Sequence, residues 1–147
     1  MAIDAYTRYA KMLGAGARDL YICGSGECEE VLRRQAESLG DKIKFCGFVQ
    51  TPEVARILGS TLALILPSTE EQWGLVINEA VAMSLPILCS MNVGARDLLV
   101  RSGVNGYIYE PDNPAGDSRV RRQSFRLTMK TLICGDVQIP HGPFGFS

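Results

Sequence analysis

Short apolar runs alternate with stretches of helical spacing along the first three quarters of the chain. Ile3, Tyr6, Tyr9, Ala10 and Leu13 recur at three and four residues and predict a helix over 3–13, ended by Gly14 and Gly16. Asp19 to Cys23 predicts a short strand. Gly24-Ser25-Gly26 turns into a helix over 27–39, and Lys42 to Cys46 alternates polar and apolar as a strand until Gly47 breaks it. Thr51-Pro52-Glu53 has the chemistry of a helix start, with Thr51 as N-cap and Pro52 as first helical residue, and that helix runs to Gly59. Thr61 to Leu66 and Pro86 to Cys89 are apolar throughout and predict buried strands around a helix over 74–84. A short helix over 94–102, the Asn105-Gly106 turn and a strand over 107–110 follow.

Strands separated by helices give an α/β fold with a parallel sheet. Ligands of such sheets bind past the carboxyl ends of the strands. Gly24, Gly47, 67–71 and 90–94 all follow strands, so they are expected to line one crevice although far apart in sequence.

The central helix is apolar on most faces (Leu75, Val76, Ile77, Ala80, Val81, Ala82, Met83), which predicts burial. It nevertheless carries Glu79, an expensive group to bury without a partner. Glu71 lies eight positions earlier, just before the helix. Free N–H groups and the dipole at a helix N-terminus favour an anion. With an acceptor about a turn inside, that end suits a nucleotide and its phosphates.

Five stretches then occur in a telling order: I-C-G-S-G-E (22–27), F-C-G-F-V (45–49), P-S-T-E-E-Q-W-G-L-V-I-N-E-A (67–80), G-A-R-D-L (94–98) and N-G-Y-I-Y-E-P (105–111). Together they resemble the signature of retaining glycosyltransferases of the family 4 type, which have the two-domain GT-B fold. The resemblance implies the C-terminal, Rossmann-like half of such an enzyme, a parallel sheet with flanking helices. It also implies a nucleotide-diphosphate sugar as donor substrate, no cofactor and no bound metal. By resemblance, Glu79 accepts hydrogen bonds from the ribose hydroxyls and Glu71 contacts the transferred sugar near the reacting carbon. Trp73, Gly74 and Leu75 meet sugar and phosphates, and Gly24, Gly26 and Val49 belong to the donor site.

Plainer roles stand beside these. Glu79 could be a structural acid, and Glu71 could simply favour the helix start. Gly24-Ser25-Gly26 lacks a third glycine, with Glu29 in its place, so a plain turn is its default. Phe48 and Val49 suit the core as well as the base, and Arg96 with Asp97 reads as a surface pair.

The resembled family opens this domain with a strand ending in Gly-Arg and a loop carrying Lys-Gly. Residues 1–114 match the domain from the following helix onward, without that first strand. In a doubly wound sheet the first strand is central, so weak stability in isolation is expected. Residues 115–147 depart from the family pattern. They hold five basic and two acidic residues and read as an atypical, poorly ordered tail foreign to the domain, in which the basic run is a solvated segment and His141 is not catalytic.

The chain's 147 residues, 46% hydrophobic, suit one globular domain. A net charge of −1 gives no case for nucleic acid, and the longest apolar run is far short of a membrane span. The five scattered cysteines lack a Cys-x-x-Cys pair; four of them sit in or beside apolar strand-like runs, and buried, reduced thiols of a cytoplasmic protein are the reading. The full-length enzyme could lie peripheral to a membrane.

The expected function is hexosyl transfer from a nucleotide sugar to an unknown acceptor with retention, the acceptor being held by an N-terminal GT-B domain that residues 1–147 do not contain. The chain alone is expected to be inactive. The alternative is a non-catalytic module that binds a nucleotide sugar.

Overall fold

The computed structural model describes residues 2–110; the readings made for the tail, Cys134 and His141 lie outside them. Helices and strands alternate as α1 (Ala2–Leu13), β1 (Leu20–Cys23), α2 (Glu29–Ala36), β2 (Ile43–Gly47), α3 (Thr51–Gly59), β3 (Leu64–Leu66), α4 (Leu75–Ala82), β4 (Ile87–Ser90), α5 (Arg96–Leu99) and β5 (Gly106–Tyr109). Each predicted element is present, with differences at the ends that have local causes.

Helix α3 begins one residue early. Gln50, extended, is its N-cap; its carbonyl accepts from the N–H groups of Glu53 and Val54, so Thr51 is already helical and Pro52 still sits in the first turn. Strand β3 begins three residues late. Ser60 and Thr61 donate back to the carbonyls of Ile57 and Leu58, which keeps them in the end of α3. Helix α2 gives way after Ala36 to a 3-10 segment over Glu37–Lys42, broken at Gly40.

All strand pairs are parallel, but the described strands form two sheets instead of the single one expected: β1 with β2, and β3-β4-β5. Both sheets sort their side chains onto the same two faces. Leu20 and Ile22 of β1, with Ile65 of β3, face the cluster built on Ile3, Tyr6 and Tyr9 of α1 and Ala36 of α2. Tyr21 and Cys23 of β1, with Leu64 and Leu66 of β3, face the cluster built on Ile57 and Leu58 of α3 and Val76, Ile77 and Ala80 of α4. The period of two along each strand thus makes one three-layered body, with α1 and α2 on one face and α3 and α4 on the other.

The first layer is fixed by polar contacts as well. Tyr6 donates its hydroxyl to the Arg18 carbonyl at 2.6 Å, Tyr9 accepts from the Arg18 N–H at 2.9 Å, and Lys42 donates to the Ala17 carbonyl at 2.9 Å. Burial, with the charge of Asp19 next, pushes the Tyr6 phenol up to about 12. No helix among the described residues is long and apolar enough to cross a membrane.

Candidate functional site

Two loops meet past the carboxyl ends of β3 and β4. Ser90 ends β4 and is fully buried; its hydroxyl donates to the Ser68 carbonyl, and its oxygen accepts from the Asn92 N–H. The Asn92 side-chain amide donates to the Thr69 carbonyl at 2.8 Å. Further along, Glu71 N–H donates to the Asn92 carbonyl, Gly94 N–H to that of Glu71 and Ala95 N–H to that of Trp73. Residues 68–73 are therefore held along their length by 90–95. Gly94 must be glycine for this, since a Cβ there would lie 1.9 Å from the Gln72 carbonyl oxygen.

The pinned loop delivers Glu71 to the start of α4. Its Oε1 accepts from the Trp73 N–H at 3.3 Å, while the Trp73 indole N–H donates to Asn78 Oδ1 at 2.9 Å. Gly74 is the N-cap, in the left-handed region at φ 87°, with no side-chain cap on the helix. A Cβ on Gly74 would press on Leu66 and Val93 at 3.0 Å, so both conformation and space select glycine. The first turn of α4 has N–H groups with no partner inside the helix, and Gly74 brings the chain to them without bulk.

Helix α4 is buried on one side only. Val76, Ile77 and Ala80 face the core, whereas Leu75 is 55% exposed and Val81 and Met83 are exposed too. The expected general burial is thus corrected: the helix has one face on the sheet and an open apolar face opposite. Glu79 is half-buried between the two, and loss of water raises its carboxyl above the usual range.

At the other sheet, Gly24 ends β1 at φ 121° and donates its N–H to the Gly47 carbonyl at 2.7 Å, tying together the loops after β1 and β2. Gly26 is exposed, with open space where a Cβ would be, and its carbonyl accepts from Glu29 N–H in the turn into α2. Val49 has its side chain in the core, so only its backbone is available to a ligand; Phe48 beside it is 57% exposed. Glu71, Trp73, Gly74 and Leu75 are thus brought to one point, and Gly24 and Gly26 lie past the neighbouring pair of strands.

Arg96 pairs with Asp97 at 3.2 Å and also donates to the Val93 carbonyl, as a surface pair would. Glu70 is exposed. Of the described cysteines, Cys23 and Cys89 are buried and Cys46 half-buried, while Cys28, the one outside an apolar run, is exposed. Burial pushes the Cys46 and Cys89 thiols up to about 11. No cluster of three or more metal-ligating side chains occurs among the described residues. The roles of Ser90 and Asn92 as loop anchors were missed in the sequence, where the only signal is a polar residue closing an apolar strand.

Residues 2–118 match the family described as glycosyl transferases group 1. An uncharacterized glycosyltransferase of Methanocaldococcus jannaschii is 32% identical over 106 residues, 71% of this chain and 27% of that protein. The crystal structure of WaaG, a glycosyltransferase involved in lipopolysaccharide biosynthesis, superposes with a TM-score of 0.68 at 20% identity, over 85% of this chain and 33% of WaaG. HepE of Anabaena, solved in complex with UDP-glucose, gives 0.60 at 19% identity, over 87% of this chain and 44% of HepE. These likenesses show the fold, an α/β Rossmann-like part of a GT-B glycosyltransferase. The chain spans about a quarter of the length of the first curated relatives it matches.

Proposed function

The chain belongs to the glycosyl transferases group 1 family, and we propose that residues 1–114 are the donor-binding domain of a retaining, family 4 type enzyme that moves a hexosyl unit from a nucleotide-diphosphate sugar to an acceptor. The observation that carries this proposal is the start of α4, uncapped by any side chain and opened by Gly74, with Glu71 beside it. The N–H groups of Gly74 and Leu75 there meet the diphosphate, and the helix dipole steadies the charge that grows on it as the sugar leaves. Glu71 stabilises positive charge at the reacting carbon. Trp73 lies against the sugar. Glu79, one face of whose helix is open, offers two acceptor oxygens to the vicinal ribose hydroxyls. Gly24, Gly26 and the Val49 backbone border the base.

The glycosidic bond to the diphosphate breaks, the acceptor hydroxyl oxygen joins the same carbon on the same face, and the hydroxyl proton passes to the departing diphosphate oxygen. The acceptor is held by an N-terminal GT-B domain outside residues 1–147, so this chain alone binds donor without turning it over. UDP-glucose in the HepE structure supports a nucleotide sugar as ligand. Calorimetric titration with uridine, guanosine and adenosine diphosphates tests the assignment. One nucleotide is expected to bind with sub-millimolar affinity, stronger than about −4 kcal/mol, and Glu79→Ala to abolish it. A folded chain that binds none of the three would overturn it. Binding without transfer after pairing with a matching N-terminal domain would favour a non-catalytic binding module.

A further inference from the structure

We propose that Cys23 and Cys46 are a dithiol pair that closes to an intramolecular disulfide by exchange with a low-molecular-weight disulfide, clamping together the loops after β1 and β2. The strand register carries this. Ile22 lies opposite Phe45, but Cys23 lies opposite Gly47, so β2 holds one residue more than β1 at this point. That residue is Cys46. In such a bulge two residues face one across the ladder, and here Cys46 and Gly47 both face Cys23. Neighbouring strands run about 4.8 Å apart, within the roughly 4.4–6.8 Å that separates the Cα atoms of a disulfide. Both side chains also lie on one face of the sheet: Cys23 is buried in the cluster of α3 and α4, and Cys46 packs against it. Gly47 places no side chain between them, and the two thiols are within hydrogen-bond reach of each other. Cys89, by contrast, has Leu66 opposite it on one side and Ile108 on the other.

Both cysteines are reduced in this structure, Cys23 buried and Cys46 half-buried, so Cys46 meets the reagent first. Its thiol loses a proton and the sulfur attacks one sulfur of the small disulfide. The first small thiolate leaves and takes up a proton, and Cys46 is left in a mixed disulfide. The Cys23 thiol then loses its proton and its sulfur attacks that of Cys46, and the second small thiolate leaves and is protonated. Two protein thiols are oxidised to one disulfide while one small disulfide is reduced to two thiols, and an excess of small thiol reverses the exchange. Burial, then the neighbouring Cys23 and Glu53, push the Cys46 thiol up to about 11 against the pull of Arg56. The exchange is therefore slow near neutrality and speeds up as pH rises. Gly24 N–H already bonds to the Gly47 carbonyl at 2.7 Å, next along both strands. The disulfide adds a covalent link beside that bond, and it does so whatever the crevice binds.

The test holds the 147-residue chain at about pH 8.5 in a mixture of glutathione and its disulfide, then alkylates it and digests it with trypsin without reduction. Mass spectrometry is expected to find peptide 19–33 joined to peptide 45–56 at least tenfold above every other pairing. Peptide 19–33 carries both Cys23 and Cys28. The product should persist in Cys28→Ser, which assigns the bond to Cys23, and vanish in Cys46→Ser. Hydrogen exchange should slow at least threefold in 24–28 and 47–50 on oxidation and stay unchanged in 106–109, in the other sheet. A mixture of pairings overturns the proposal, as would come from an unfolded chain pairing its cysteines at random. So does loss of the product in Cys28→Ser, glutathione left on Cys46 with no bond to Cys23, or exchange in the two loops that oxidation does not slow.

Discussion

The Cβ that Gly94 lacks would stand 1.9 Å from the carbonyl oxygen of Gln72, so the loops after β3 and β4 pack backbone on backbone. Gly94→Ala must push the two apart, breaking the bonds from Gly94 N–H to Glu71 and from Ala95 N–H to Trp73. The strands below do not depend on that contact. Far-UV circular dichroism is expected to stay as in the parent chain, while nucleotide affinity falls at least tenfold. Gly59→Ala is the control: a Cβ there meets open space at the end of α3, and the change should be neutral or stabilise by up to about 1 kcal/mol. Equal affinity in Gly94→Ala and parent would disconnect this contact from binding.

Glu79 couples binding to stability with a definite sign. Desolvation raises its carboxyl in the folded state. The folded chain therefore prefers the protonated form: that preference contributes fully below the unfolded-state carboxyl titration and is lost as pH rises through the raised folded-state one. Glu79→Gln removes the charge and keeps the shape. Its melting temperature is expected to exceed the parent's at pH 7, with the difference shrinking as pH falls toward 4, while nucleotide binding is lost. A Gln variant less stable than the parent at pH 7 would mean that the carboxylate has a favourable partner in the fold.

Much of this was legible because it is set locally. The order of elements followed from spacing and from Gly and Pro; Glu71 stood out because it precedes a helix, and Gly74 was singled out by the resemblance. The separation into two sheets was not readable from periodicity, since Leu20, Ile22, Leu64 and Leu66 are apolar whatever their neighbour. Nor was the open face of α4, since Leu75 and Val81 are as hydrophobic as the buried Val76 and Ile77. Ser90 and Asn92 act on carbonyls about twenty residues away, and such contacts leave no trace in spacing.

Tyr6 ties α1 to the segment before β1, through its hydrogen bond to the Arg18 carbonyl. Tyr6→Phe is expected to destabilise by about 1–2 kcal/mol, since it leaves a part-buried carbonyl short of a donor. The phenol is raised in the fold from 10.0 to about 12. The raised value means that the fold favours the protonated hydroxyl: its contribution is complete below pH 10 and is lost as pH rises toward 12. Denaturant unfolding at pH 8 and pH 11 reads both effects. The parent should lose more stability over that interval than Tyr6→Phe, and equal losses would rule out Tyr6 as the titrating group.

Helix α4 closes on a strained residue. Leu85 N–H bonds to the Ala80 carbonyl and Ser84 N–H to that of Val81, the paired bonds of a helix end that needs a left-handed residue at its turn. That residue is Ser84, at φ 58°, the one described non-glycine residue with positive φ. An L side chain in that region costs about 1–2 kcal/mol, and glycine avoids most of it. Ser84 is exposed, so nothing packed is lost with its side chain. Ser84→Gly is expected to stabilise by about 1 kcal/mol, and Ser84→Val to destabilise by at least as much, because a β-branched side chain tolerates the region worst. The site at the opposite end of the same helix should bind nucleotide unchanged in Ser84→Gly. If instead stability fell and affinity fell with it, the last turn of α4 would be setting the position of its first.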